Sequence, residues 1–126
     1  MNLELRSGLL YVSLSIVYQD RSQTVDNIIL DTGAAHSLID RSAIDSLNLI
    51  TDGDDIIVTM AGIGGNDYAV RKQIDSLTFA SHTIRFPYLD FGNLDSHPGI
   101  DGLLGADILV HGRFTIDLNN MVVYPG

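Results

Sequence analysis

The stretch NIILDTGAAHSLID, Asn27 to Asp40, decides how this chain is read. Three apolar residues, two of them β-branched, run straight into an acid, and Thr-Gly-Ala follows at once. A carboxylate at the end of an apolar strand must be hydrogen-bonded, paired or put to chemical use, because burying it without a partner is costly. An Asp that caps a chain reversal accounts for the tripeptide taken alone. The neighbours add more: Gly33 removes a side chain beside the acid and lets another backbone approach, while Thr32 offers a hydroxyl to a facing main chain. Such a loop suits a two-fold contact in which Asp31 faces Asp31 of a second copy.

The chain of 126 residues has the length of one domain, residues 1–126, with one core. Sixteen acidic residues against seven Lys and Arg give a formal charge of −9, which argues against nucleic acid and anionic membrane surfaces as partners. Only Arg71-Lys72 places two basic residues together. The lack of cysteine excludes disulfides, a thiol nucleophile and Cys-based zinc or iron–sulfur sites, and a cytoplasmic location fits it. His36, His82, His97 and His111 show no metal-ligand spacing, and Asp52-Gly53-Asp54-Asp55 lacks the downstream Gly and Glu of a calcium loop. No metal and no cofactor is therefore expected. The apolar run LLYVSLSIVY, Leu9 to Tyr18, alternates with serines, follows Glu4 and precedes no small-residue cleavage site, so it reads as a strand and not as a signal peptide. No segment has the length of a membrane span, and no membrane insertion is expected.

Period-two patterning covers residues 9–18, and further strand-like runs occur at 24–31, 55–61, 67–74, 76–80, 82–91, 113–118 and 121–124. Two short helices interrupt them. One follows Asp40, where Ile39, Ala43, Ile44 and Leu47 fall at helical spacing, and the other runs from about Ala106 to Val110 before His111-Gly112. Short strands joined by Gly, Asn and Asp turns, Asn119-Asn120 among them, predict an all-β closed or sandwich-like architecture. One internal echo is present: an apolar pair leads into a Gly-bearing turn at Ile29-Leu30-Asp31-Thr32-Gly33 and again at Leu103-Leu104-Gly105-Ala106-Asp107.

Three stretches in order, IILDTGAAHS (28–37), MAGIGGND (60–67) and GIDGLLGADIL (99–109), resemble the retroviral-type aspartic proteases, the retropepsins, and the resemblance extends from Val25 to Tyr124. It implies a single-lobe acid-protease fold, a closed β-barrel with one or two short helices that forms half of a bilobal pepsin-like enzyme. It also implies an aspartic endopeptidase with Asp31 as catalytic acid and Thr32 and Gly33 supporting the loop. Ala34 and the glycine-rich Gly62, Ile63, Gly64 and Gly65 would contact the substrate, the latter as a closing flap. Leu103-Leu104-Gly105 matches the element that packs beneath the catalytic loop, and Ser37 matches a small hydroxyl position after it. Neither Asp101 nor Asp107 precedes Thr-Gly or Ser-Gly, so one catalytic loop per chain implies a homodimer acting on a protein or peptide substrate.

Gly62 and Gly64 also begin a dinucleotide-type G-x-G-x-x-G, but Asp67 stands where the last Gly belongs and no helical pattern follows. Two departures from the viral pattern stand out. Ala35 and His36 occupy places where viral members often carry acids that bind the substrate main chain, and RFTIDLNNMVVYPG forms a longer C-terminal part that reads as a hairpin. Two other readings are open from the residues alone: a catalytically silent dimerisation or peptide-binding module of the same fold, and a periplasmic or envelope-linked piece of a larger chain.

Overall fold

The alternation from Leu9 to Tyr18 buries Val12, Leu14, Ile16 and Tyr18 on one face of a strand and turns Ser13 and Ser15 away, as period two requires. The computed structural model describes residues 1–50, 52–62 and 65–126. Its strands are β1 (Glu4–Arg6), β2 (Leu9–Tyr18), β3 (Arg21–Leu30), β4 (Leu38–Asp40), β5 (Ile56–Gly62), β6 (Gly65–Gln73), β7 (Ser76–Phe79), β8 (His82–Arg85), β9 (Tyr88–Gly92), β10 (Gly102–Leu104), β11 (Thr115–Asp117) and β12 (Val122–Tyr124). A 3-10 helix spans Arg41–Leu47, and α1 spans Ala106–His111.

The fold is all-β, as expected. A ten-stranded sheet runs in the order β5-β6-β9-β4-β10-β3-β2-β7-β8, with β1 paired to β2, and β11 and β12 form a separate hairpin. The path is open: its end strands β5 and β8 are not paired with each other among the described residues. One apolar cluster holds the layers together, with Ile16, Ile28, Ile39, Leu77, Phe79, Leu104 and Val123 fully buried. They come from six strands, β2, β3, β4, β7, β10 and β12, with Leu77 and Phe79 both on β7, so burial of this cluster couples the elements to one another.

A bulge shapes β3. Leu14 faces Val25, but Val12 faces Ile28, so β3 carries one extra residue between the two pairs. Asn27 takes it up at φ 58°, a left-handed conformation that Asn tolerates better than most residues. Its side chain accepts a hydrogen bond from Arg6 and donates one to Asp101, and its carbonyl accepts the Asp101 N–H. The chain thus leaves the bulge in a fixed phase and delivers Asp31 to the end of the strand.

Several expectations shift in detail. The run expected at 82–91 divides into β8 and β9, because Phe86 adopts φ 55° and Pro87 has no N–H to give a ladder. The helix after Asp40 is of 3-10 type, capped by the Asp40 carboxylate through the backbone N–H and hydroxyl of Ser42 and kinked at Ile44. The C-terminal hairpin covers the chain's own N-terminus: Met1 and Val123 exchange backbone hydrogen bonds of 3.0 and 2.9 Å, and Leu3 donates to the Met121 carbonyl at 2.9 Å.

Candidate active site

Asp31 lies one residue beyond β3, where that strand runs parallel to β10 with Ile29 beside Leu103 and Leu30 beside Leu104. The two echoing segments seen in the sequence are therefore neighbours in the sheet. The Asp31 N–H donates to the Leu104 carbonyl at 2.9 Å, which extends the ladder to the acid itself. Its Oδ1 accepts the Gly33 N–H at 3.0 Å and its carbonyl accepts the Ala34 N–H at 3.2 Å, an Asx-type reversal. A Cβ on Gly33 would stand 3.3 Å from that carboxylate oxygen, so glycine leaves the acid uncrowded. Asp31 is half-buried while Thr32 and Gly33 are exposed.

The second turn braces the first. Ala106, first residue of α1, donates its N–H to the Ala34 carbonyl at 2.7 Å. Gly105 allows this approach: a Cβ there would meet the Ala34 oxygen at 2.6 Å, closer than backbone atoms can tolerate. Ser37 is fully buried and closes the clasp, with its hydroxyl donating to Asp107 Oδ1 at 2.7 Å and accepting the Gly105 N–H at 2.9 Å. The Ser37 N–H donates to the other Asp107 oxygen at 2.9 Å. Both ends of the Asp-Thr-Gly loop are thus bonded to β10 and α1, and charge-assisted bonds to Asp107 make the tie strong.

Of the residues expected at the site, Asp31, Thr32, Gly33 and Ala34 form this turn, and both backbone groups of Ala34 are engaged within the chain. Gly62 and Gly65 pair across the end of the β5–β6 hairpin, whereas Ile63 and Gly64 lie outside the described residues. Asp107 was set aside in the sequence as a second acid, and its place is structural. The signal that marks it is an acid in the first turn of a helix directly after a glycine, opposite a lone serine in the apolar run Ser37-Leu38-Ile39.

Asp101 is occupied by the Asn27 amide. His82 and His111, which show no metal-ligand spacing in the sequence, bring ring nitrogens to 2.9 Å of each other; no cluster of three or more metal-ligating side chains forms among the described residues. Cavities of about 460 and 490 Å³ lie between the N-terminal segment and β3 and between the β5–β6 hairpin and β9, and neither includes Asp31.

An all-β lobe with one Asp-Thr-Gly turn, braced from below by an apolar-apolar-Gly turn and a short helix, defines the single-lobe acid-protease class. The family model for aspartyl proteases matches residues 16–108, and the chain belongs to that family, retropepsin-like in kind. The match takes in the Asp31 loop, the hairpin and the Gly105 turn, and ends before the C-terminal hairpin. Among curated proteins no relative matches the chain. No helix is long and apolar enough to cross a membrane among the described residues.

Proposed function

We propose that residues 1–126 form one protease domain that acts as a homodimeric aspartic endopeptidase, with Asp31 of each chain forming the catalytic pair. The observation that carries this reading is a single Asp-Thr-Gly turn whose acid is half-buried and whose Thr32 and Gly33 are exposed, on a chain with no second such turn. Two of these turns meeting at a two-fold axis bring the carboxylates together. They then hold one proton between them, because like charges a few ångströms apart cannot both persist.

The chemistry follows from that shared proton. The ionised carboxylate takes a proton from a bound water as its oxygen attacks the peptide carbonyl, while the protonated carboxyl gives its proton to the carbonyl oxygen. Collapse of the tetrahedral adduct returns a proton to the amide nitrogen, and the C–N bond breaks. Thr32 supports the pair by bonding to the partner's loop, and the β5–β6 hairpin closes over an extended peptide with apolar side chains beside the scissile bond.

The test is cleavage of a mixed peptide library from acid to neutral pH by the wild-type chain and by Asp31→Asn. Cleavage by wild type alone, blocked by a hydroxyl-bearing transition-state mimic of the pepstatin kind, is the expected result. Equal cleavage by both proteins would overturn the reading.

A further inference from the structure

The β5–β6 hairpin is held to the body of the protein only near its root. Seven register pairs join its two strands, from Ile56–Arg71 to Gly62–Gly65, but β9 pairs with β6 only from Val70 to Gln73. Beyond Ala69 the hairpin projects from the sheet without another strand beside it among the described residues. Its direction therefore depends on how the root is fixed.

Two consecutive cations fix it on opposite faces of β6, since adjacent strand residues point to opposite sides. Arg71 makes a bidentate pair with Asp90, its cross-strand neighbour on β9, at 2.8 and 3.2 Å. Lys72 points to the other face and is only 4% exposed. Its ammonium bonds to Asp52 Oδ2 and Asp55 Oδ1, both at 2.9 Å, and lies 5.6 Å from the centre of the Tyr18 ring. Asp55 stands one step outside the last β5 pair, in the place facing Lys72, and its side chain is 7% exposed. The Asp52–Asp55 turn is folded around these contacts: Asp52 N–H donates to Asp55, Asp54 N–H to Asp52, and Asp55 N–H to the Asp52 carbonyl. Leu49, Ile50, Val70 and Phe91 close the site to a residual cavity of about 10 Å³.

We propose that Lys72 is a positioning residue for substrate capture, a buried tie that draws the turn entering β5 onto β6 and so sets the direction in which the β5–β6 hairpin closes on the peptide. This rests on the protease reading above. The turn Asp52-Gly53-Asp54-Asp55, which matches no metal loop, thereby has a function in the chain: it supplies two carboxylates to one buried ammonium. Without Lys72 these two acids repel each other and Asp55 is left buried without its counter-charge, so the turn opens and the hairpin loses its fixed root. A hairpin that spends less time in the closing direction weakens peptide capture in proportion to the lost population.

The test uses Lys72→Met and the milder Asp55→Asn in the full chain, with two readouts. Hydrogen exchange of the β5 and β6 amides is expected to quicken about tenfold in both variants relative to β2 and β3, which stay unchanged. Using a peptide that wild type cleaves, KM is expected to rise about tenfold while kcat changes far less, because active enzyme that captures poorly raises KM. A merely structural loss would instead lower the active fraction, reducing apparent kcat at constant KM. Wild type that cleaves nothing overturns the protease reading, and the exchange readout still decides the tie. Unaltered exchange in both variants, or unaltered KM in variants of a wild type that cleaves, overturns the role proposed for Lys72.

Discussion

Replacing Ser37 by alanine should loosen the Asp31 loop, and the size of the effect follows from the bonds that the hydroxyl makes. The side chain is fully buried, donates to Asp107 and supports the Gly105 N–H. Losing a bond to a charged acceptor costs about 1.5–3 kcal/mol, and leaving a buried N–H unpaired costs about 1–3 kcal/mol more. Asp107 keeps the N–H groups of Ser37 and Ile108, so relaxation toward those partners recovers part of the loss. A net cost of about 3 kcal/mol lowers Tm by roughly 10 °C in a domain of this size. Calorimetric unfolding measures it, at fixed protein concentration because dimerisation would make Tm concentration-dependent. Asp107→Asn should fall short of additivity with Ser37→Ala, since the two share one clasp. A Tm within about 2 °C of wild type for Ser37→Ala, or strict additivity of the pair, would refute the clasp.

Gly105→Ala should shift the denaturant midpoint downward at unchanged slope, by an equivalent of about 2 kcal/mol, since its Cβ meets the Ala34 carbonyl at 2.6 Å; an unchanged midpoint would mean that the two turns are not tightly packed. Asn27→Ala should cost about 2 kcal/mol by chemical unfolding, because it removes the bonds to Arg6 and Asp101 and places alanine at φ 58°. The Lys72 triad makes stability depend on pH at both ends. The Lys72 hydrogen bond, and after it the Asp54 N–H, hold the Asp52 carboxyl below its ordinary 3.8. Burial alone would lower Lys72, but the hydrogen bonds it donates to Asp55 and Asp52 outweigh it and hold the ammonium above its ordinary 10.5. The depressed acid stabilises the fold above 3.8 and loses its contribution as pH falls through the folded value; the raised lysine does so below 10.5 and loses it as pH climbs past the folded value. With Asp52, Asp55, Tyr18 and Arg41 the groups around Lys72, the Tm difference between wild type and Lys72→Met should be widest between those limits and shrink in acid. A difference that persists undiminished in acid would contradict this.

What could be read from the residues was decided by how local each signal is. β2 announces itself by alternation over ten residues, and the Asp-Thr-Gly turn by residue types whose backbone demands are local. β4 escaped notice and β10 was marked only by its echo of the catalytic loop, because three residues carry too little pattern and each strand is held between two neighbours distant in sequence. The bulge at Asn27 was invisible because it exists only as a mismatch between β2 and β3. The ties of Asp107 and Lys72 were not legible, since nothing near them in the chain reveals that Ser37, 70 positions away, or Asp52 and Asp55 would meet them. The echo between residues 29–33 and 103–107 was the exception, a distant contact foreshadowed by its pattern.

The shared catalytic pair is tested most directly by refolding wild-type chains together with Asp31→Asn chains at constant total concentration and measuring peptide cleavage against the mutant fraction. If each active site needs Asp31 from both chains, an equal mixture retains only about a quarter of the wild-type rate, because mixed dimers are silent. A rate of about a half, falling linearly with the mutant fraction, would mean that each chain works alone and would contradict the pair.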